Sequence, residues 1–288
     1  MTALQPELSP DERKAFERII KDALAEDIGK GDITSELLVP EDMVAEMHFV
    51  AHEAMVVCGL FVAEMVYATL DKDIDVTIHA FEGKAIPAEY SLVTAKGNAR
   101  SLLTGERVAL NLLQRMCGVA SLTKTYVDMV AATGATILDT RKTMPGLRVV
   151  DKYAVRAGGG KNHRMRLDDM VLIKDNHIVL SGGIKEAIEA ARKGTDVPVV
   201  VECDTLEQLQ EAIAAMPDRV LLDNMTPEQL SEAVKLVKGA FPLEASGGVS
   251  LDTVRIIAET GVDFISVGKL THSALAADIG ADLFSDQS

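Results

Sequence analysis

Polar and glycine residues follow a series of short apolar runs in the second half of the chain. The runs are 136–138, 170–173, 197–201, 220–222, 242–244 and 264–267. The groups at their ends are Asp139, Thr140, Arg141, Lys142, Lys174, Glu202, Asp223, Ser246, Gly247, Gly248 and Gly268. Continuous apolar runs indicate buried parallel strands, whose carboxyl ends share one rim in a βα barrel. We therefore predict that these groups surround one cavity, although Asp and Ser there can also cap helices.

Charge is distributed unevenly along the chain. Residues 139–174 carry a net charge of +5, whereas the whole chain carries -15. A basic segment in an acidic protein predicts a bound small anion, and the alternative is a solvated basic helix face. The overall charge disfavours nucleic acid or an anionic membrane as the main partner.

Glycines near two of the strand ends are suited to binding a phosphate. Ser246, Gly247 and Gly248 precede a predicted helix that begins near Leu251. Glycine lets the backbone approach a ligand closely, and exposed N–H groups then bind the anion. Gly268 follows the next strand, and barrels often hold a phosphate between their last two loops.

Two carboxylates, Glu202 and Asp223, end consecutive predicted strands. Oxygen ligands of this kind suit Mg²⁺, which keeps most of its waters and is also bound by substrate phosphates. Salt bridges to neighbouring cations and general acid or base catalysis are the alternatives. His163 lies between a run of three glycines and Arg164, which favours ligand contact over a structural role.

Histidine and cysteine spacing argues against a zinc site. The six histidines show no H-E-x-x-H pattern. Cys58, Cys117 and Cys203 are widely spaced, which is typical of a reducing compartment. No apolar run is long enough for a transmembrane helix, and residues 1–8 lack the pattern of a signal peptide. We therefore expect a cytoplasmic protein.

The first third of the chain alternates helical and extended patterns. A capping box at Ser9–Glu12 predicts a helix that continues to about Ile28. The other predicted elements are strands at 43–57, 74–80 (half-buried) and 92–99, and helices at 60–70 and 100–116. We predict an α/β protein with an α+β domain at 1–115 and a barrel-like domain at 116–273. With six clear strands, this barrel is incomplete.

Several segments resemble the signatures of one family, the quinolinate phosphoribosyltransferases. The segments are DTRKTMPGLR (139–148), KYAVRAGGGKNHR (152–164), LIKDNH (172–177), LLDN (221–224), SGGVS (246–250) and GVDFISVGKLTHS (261–273). The resemblance spans residues 20–280. It implies a type II phosphoribosyltransferase fold, in which an α+β N-terminal domain precedes an incomplete TIM-like barrel and the tail 274–288 packs on the first domain.

The resemblance also implies a reaction. Phosphoribosyl would pass from 5-phosphoribosyl-1-pyrophosphate to quinolinate with loss of CO₂, in NAD biosynthesis, with Mg²⁺ as cofactor and a homodimer that shares its active sites. The implied quinolinate ligands are Arg107 of the partner, Thr140, Arg141, His163, Arg164 and Lys174. The implied phosphoribosyl pyrophosphate ligands are Lys142, Lys174, Glu202, Asp223, Ser246, Gly247, Gly248, Val267, Gly268 and Lys269. Lys142, Glu202 and Asp223 are the implied catalytic residues, and Glu202 and Asp223 would hold Mg²⁺ partly through water.

Three other functions fit parts of the pattern. A sister phosphoribosyltransferase would act on a different base. A barrel aldolase would form a Schiff base at Lys174, which also ends a strand. A non-catalytic anion-binding protein would need the cations but not the two carboxylates.

Overall fold

The computed structural model describes residues 8–285. Residues 1–8, in which the sequence shows no signal-peptide pattern, therefore lie almost entirely outside the described part. The described chain forms two compact units. The first comprises the residues up to Lys124, Met144–Gly159 and the residues from Ala274 onward. The second comprises Thr125–Thr143 and Gly160–Ser273. The domain boundary at 115/116 stays a prediction, since these units group residues by compactness alone.

The strands of the first unit are β1 (Val44–Ala51), β2 (Met55–Val56), β3 (Asp75–Ile78), β4 (Ala85–Ile86), β5 (Tyr90–Asn98) and β12 (Ile279–Ser285). Four of them form a sheet in the order β12-β1-β5-β3, and β2 and β4 pair with each other separately. Its helices are α1 (Pro10–Ile28), α2 (Ile33–Leu38), α3 (Phe61–Leu70), α4 (Ala99–Val130, as far as Lys124) and α5 (Arg148–Ala157). The carboxyl-terminal strand β12 pairs with β1 in antiparallel fashion.

Helix α1 begins as the sequence predicts. The Ser9 hydroxyl accepts from the Glu12 N–H at 3.2 Å, and the Glu12 carboxylate accepts from the Ser9 N–H at 2.9 Å. This reciprocal pair satisfies two N–H groups at the start of the helix. Apolar side chains at helical spacing, including Phe16 and Ile20, are then fully buried.

Two predictions for this region were wrong in extent. The extended segment 43–57 is two strands, β1 and β2, and the long helix continues past 116 to Val130. The half-buried pattern predicted at 74–80 is confirmed for most positions, because Ile74, Val76 and Ala80 are less exposed than the polar residues between them. Ile78 departs from it with 36% exposure, on a strand that pairs only with β5 at the edge of the sheet. Alternation along a strand predicts its two faces but not its place in the sheet.

The second unit contains a parallel sheet in the order β6-β11-β10-β9-β8-β7. The strands are β6 (Thr136–Leu138), β7 (Val171–Ile173), β8 (Val199–Cys203), β9 (Arg219–Asp223), β10 (Leu243–Ser246) and β11 (Phe264–Ser266). The helices are α6 (Asp175–Ser181), α7 (Ile184–Gly194), α8 (Leu206–Ala215), α9 (Pro227–Val237), α10 (Val254–Glu259) and α11 (Lys269–His272). All six predicted strands are confirmed.

Two helices of this unit have threonine caps. Thr205 and Thr226 begin α8 and α9, and each forms a capping box with a glutamine three residues later. Glu202 and Asp223 lie three residues before these caps, still within their strands. The helix-cap explanation therefore does not account for either carboxylate.

Within residues 8–285, no helix combines the length and apolarity needed to cross a membrane. All of the predicted site residues except Arg107 lie in the second unit.

Candidate active site

Strand register places the candidate groups of the second unit on one face of the sheet. Glu202 of β8 is paired with Leu221 of β9, which is paired with Glu244 of β10. Asp223 is paired with Ser246 two residues further along the same strands. Because side chains alternate between faces with a period of two, Glu202, Asp223, Glu244 and Ser246 share a face.

The carboxylates at the rim have direct partners. The Lys174 ammonium group contacts the Glu202 carboxylate, so the salt-bridge alternative holds for this residue. Asp223 accepts from the Asn224 side-chain amide at 2.7 Å. Asn224 has a left-handed backbone with φ of 54°, and its N–H donates to the Ser246 carbonyl at 2.9 Å. The lysine and both acids therefore lie on adjacent strand ends.

Two arginines of the second unit influence each other. The pKa of Arg164 is lowered, first because the guanidinium is partly buried and second because the positive charge of Arg141 is nearby. The Arg164 side chain also donates to the Met170 carbonyl at 3.1 Å. Like charges held together in a partly buried place favour binding of an anion with more than one negative charge.

The segment that carries Arg164 is anchored to the end of β6. Asp139 is fully buried and accepts from the His163 N–H at 2.8 Å and from the Asn162 side chain at 2.6 Å. Lys161 forms a parallel bridge with Leu138. Asp139, which sequence patterns left open as a helix cap, thus fixes the His163 backbone.

A buried glutamate beneath this rim was missed by sequence reasoning. Glu244 has no exposed surface, and its carboxylate accepts from Arg219 at 2.9 Å and from the Ser266 hydroxyl. His163 Nε2 lies 3.4 Å from its Oε1 atom. The only sequence signal was a charged residue within an apolar run at 242–244. Burial by itself raises the pKa of Glu244, but His163 first, and then Ser266 and Arg219, outweigh burial and lower the pKa.

The glycines at the rim have different structural reasons. Gly247 has a φ of 94°, and a Cβ there would clash with the Asn224 side chain. Gly248 also has positive φ, with open space around it. A Cβ at Gly268 would lie 3.1 Å from Lys142 and 3.3 Å from His272. His272 was not among the predicted residues, yet it lies beside the proposed phosphate loop.

The remaining predicted residues are placed as follows. Thr140 accepts from the Lys142 N–H at 3.0 Å, and the Lys142 carbonyl accepts from Thr271 at 2.7 Å. Val267 is buried, and Lys269 is exposed at the start of α11. Arg107 lies in the first unit on α4, with its side chain exposed and 3.5 Å from Glu106.

The residues present suit a loosely held hard cation better than a closed metal site. Among residues 8–285, no group of three or more His, Cys, Asp or Glu side chains is arranged for a metal. Glu202 and Asp223 supply two carboxylates on adjacent strands. Two carboxylates fit Mg²⁺, which takes its remaining ligands from water and phosphate.

A parallel sheet whose rim combines arginines, carboxylates and glycine loops defines a transferase-like anion site on an α/β scaffold. The chain matches two family models: "Quinolinate phosphoribosyl transferase, N-terminal domain" over residues 32–117 and "Quinolinate phosphoribosyl transferase, C-terminal domain" over 119–282. The chain therefore belongs to the quinolinate phosphoribosyltransferase family. The predicted family and fold class are confirmed, and the Schiff-base aldolase interpretation loses its support.

Relatives and solved structures agree with this assignment. The chain is 42% identical over 285 residues to quinolinate phosphoribosyltransferase [decarboxylating] 2b, mitochondrial, of Nicotiana tabacum, covering 92% of this chain and 81% of that protein. It is 45% identical over 248 residues to a probable nicotinate-nucleotide pyrophosphorylase [carboxylating] of Synechocystis, covering 84% of each. The nicotinate-nucleotide pyrophosphorylase structure from Francisella tularensis matches with a TM-score of 0.91 at 40% identity, covering 97% of this chain and 99% of that one.

Proposed function

We propose that the protein transfers phosphoribosyl from 5-phosphoribosyl-1-pyrophosphate to quinolinate, releasing pyrophosphate and CO₂ and forming nicotinate mononucleotide for NAD biosynthesis. The observation that carries the proposal is the match to both quinolinate phosphoribosyltransferase domains over residues 32–117 and 119–282. The positive charge of Arg141 near the partly buried Arg164 agrees with it. Quinolinate has two carboxylates, and planar guanidinium groups match carboxylate geometry. Two adjacent arginines therefore suit a dicarboxylate.

The proposed quinolinate site combines these arginines with Thr140, Lys174 and Arg107 of a second subunit. His163 supports this site, because its ring accepts a hydrogen bond from the Arg164 N–H. Arg107 lies on the exposed surface of its own unit, as a residue that serves a partner must. A homodimer is further supported by exposed apolar side chains such as Leu37 on α2 and Leu180 on α6.

The proposed phosphoribosyl pyrophosphate site lies along the glycine-bearing strand ends. Ser246, Gly247, Gly248, Val267, Gly268 and Lys269 would surround the 5′-phosphate, while Lys142 and Lys174 would contact the pyrophosphate. Backbone N–H groups in such loops bind phosphate directly. Lys142 already packs against Gly268, which brings a cation beside the glycine loop.

The proposed chemistry needs no protein nucleophile. The bond between C1′ and pyrophosphate breaks, and the quinolinate ring nitrogen bonds to C1′. Positive charge that develops on the ribose is stabilised by Glu202 and Asp223, which would also hold the ribose hydroxyls. When bound, Mg²⁺ neutralises charge on the leaving pyrophosphate. The pyridinium so formed withdraws electrons from the ring, so the bond between C2 and its carboxylate breaks and CO₂ leaves. The electron pair that remains on C2 takes up a proton from solvent, which gives nicotinate mononucleotide.

Turnover with defined substrates tests the proposal. Full-length protein is mixed with quinolinate, phosphoribosyl pyrophosphate and Mg²⁺, and CO₂ release is followed. Activity is expected to disappear when EDTA removes the metal and to return when Mg²⁺ is restored. Turnover of a different pyridine base, with quinolinate inert, would favour a sister phosphoribosyltransferase. A cytoplasmic location stays an expectation, which fractionation of the native cells can check.

The arginine clamp is tested by Arg164→Ala. This variant should lose quinolinate binding in calorimetry and lose turnover with it, because the second carboxylate has no planar partner. Arg255→Ala is the matched control, since Arg255 is exposed and paired with Glu259 at 2.9 Å on α10. Near-normal quinolinate affinity in Arg164→Ala would count against the clamp.

Glu202→Ala separates binding from chemistry. If Glu202 acts on the ribose and metal, turnover should fall more than quinolinate affinity. Equal losses in both would instead place Glu202 in quinolinate binding, through its contact with Lys174.

A further inference from the structure

The buried Glu244 faces the site from below the rim and is connected to it through one histidine. Its Oε2 atom accepts from Arg219 at 2.9 Å, and its Oε1 atom accepts from the Ser266 hydroxyl. The Arg219 guanidinium also stacks on Phe264, with 4.2 Å between its central carbon and the ring centroid. The carboxylate is therefore fixed from two sides, and its Oε1 atom also faces His163 Nε2 at 3.4 Å.

The other nitrogen of His163 faces the backbone. The Arg164 N–H donates to His163 Nδ1 at 2.7 Å, so Nδ1 must be unprotonated. In a neutral imidazole the proton then lies on Nε2, which points towards Glu244. His163 is only 8% exposed, and its backbone N–H donates to the Asp139 carboxylate at 2.8 Å.

We propose that Glu244 is a positioning residue for quinolinate binding: its carboxylate holds His163 in the Nε2–H form, and His163 in turn fixes the backbone that carries Arg164. Asp139 fixes the same segment from the other side. The role of His163 is thereby changed from a direct quinolinate ligand to the connection between Glu244 and Arg164. This inference rests on the proposed function.

The amide of glutamine cannot replace the carboxylate here. The carboxylate accepts from donors on both oxygens, whereas a glutamine turns one of these positions into a donor. An NH₂ group facing Arg219 loses that bond, and an NH₂ group facing His163 favours the Nδ1–H form, which conflicts with the Arg164 N–H. Glu244→Gln therefore disturbs the connection while nearly conserving shape.

The first measurement reads the tautomer in the wild-type protein, and a substitution serves only to identify the resonances. Full-length protein is labelled with ¹⁵N-histidine, and the His163 resonances are identified by their absence from a His163→Gln spectrum. We expect an unprotonated Nδ1 and a protonated Nε2 at neutral pH. An Nδ1–H tautomer or an imidazolium would overturn the inference, even if Glu244→Gln does not fold.

The second measurement is the split between kinetic constants. Glu244→Gln should raise the KM for quinolinate roughly tenfold, as loss of an orienting partner typically does. Its kcat and its KM for phosphoribosyl pyrophosphate should change by less than about twofold, because only quinolinate binding depends on Arg164. Glu259→Gln is the matched control, since it removes an exposed carboxylate paired with an arginine.

The two levels of the proposal fail in different ways. An unchanged KM for quinolinate in folded Glu244→Gln, or an equal rise for both substrates, would overturn the positioning role alone. Normal wild-type turnover with His163 in another tautomer would do the same. A wild type that turns over no quinolinate would overturn the proposed function and, with it, the role of Glu244 in binding.

Discussion

Two buried glutamates, one in each unit, have opposite electrostatic surroundings. Glu82 of the first unit is 7% exposed and accepts from the N–H groups of Gly59 and Leu60 at 2.8 Å, at the start of α3. Glu244 of the second unit is fully buried and accepts from Arg219 and Ser266. Burial raises the pKa of Glu82, and its neutral donors only reduce that rise. His163, the Ser266 hydroxyl and the Arg219 cation together lower the pKa of Glu244 despite its burial.

The different surroundings give the two buried carboxylates different roles. Glu82 satisfies N–H groups that a helix start leaves unpaired, so it stabilises local structure. Glu244 is held as an anion beneath a rim of candidate site residues, so its charge can orient a neighbour. Burial alone does not separate a structural carboxylate from a functional one, whereas the charge of its partners does.

The largest expected effect is on stability. Glu244→Ala should lower the free energy of unfolding by about 3–5 kcal/mol, because it leaves Arg219 without its buried partner. Glu82→Ala should cost about 2–4 kcal/mol, since two buried N–H groups lose their acceptor. Urea unfolding measures both, with Glu259→Ala as a surface control expected to cost at most about 1 kcal/mol. A larger loss of unfolding free energy in Glu82→Ala than in Glu244→Ala would contradict the stronger dependence on a charged partner at Glu244.

Activity should separate the two glutamates more clearly than stability. Glu244→Gln is expected to lower kcat/KM for quinolinate roughly tenfold, whereas Glu82→Gln should leave it within about twofold. The physical reason is that the partners of Glu82 among residues 8–285 are the start of α3, Cys58 and Tyr153, and none of these is a predicted site residue. Steady-state kinetics on both folded variants tests this, and equal losses would contradict the distinction.

The pH dependence of stability should have opposite signs. Glutamine mimics a protonated glutamate, so each wild type is compared with its Gln variant in urea unfolding. The pKa of Glu82 lies above its ordinary 4.5, so wild type loses stability relative to Glu82→Gln as pH rises above 4.5. The pKa of Glu244 lies below 4.5, so wild type loses stability relative to Glu244→Gln as pH falls below 4.5. If the stability difference between wild type and variant changed with pH in the same direction for both glutamates, the opposite pKa shifts assigned to them would be wrong.

The smallest effects come from removing one neutral donor at each carboxylate. Ser266→Ala and Cys58→Ala remove a hydroxyl and a thiol that bond to Glu244 and Glu82. Each should cost about 1 kcal/mol of unfolding free energy. Only Ser266→Ala should also raise the KM for quinolinate, by about twofold, because Ser266 helps to fix the carboxylate that faces His163. A similar rise in the KM for quinolinate in Cys58→Ala would contradict a purely structural role for Glu82.

Much of the second unit could be predicted from its sequence. Short apolar runs ending in polar residues identified all six strands, because a parallel strand buried on both faces leaves a continuous apolar signature. The first unit was predicted less well. The pattern at 74–80 indicated a strand, but its exposure depended on the edge position that the sheet gave β3.

The sequence by itself determined the strand ends, the +5 segment and the order of the cations, carboxylates and glycines. It could not separate Glu244 from Glu82, since both appear as single acidic residues beside apolar ones. Arg219 lies 25 residues from Glu244, Ser266 lies 22 residues away, and His163 is on another strand connection. Only the tertiary structure brings these groups within hydrogen-bonding distance, and the charge of a buried carboxylate depends on such neighbours rather than on its own place in the chain.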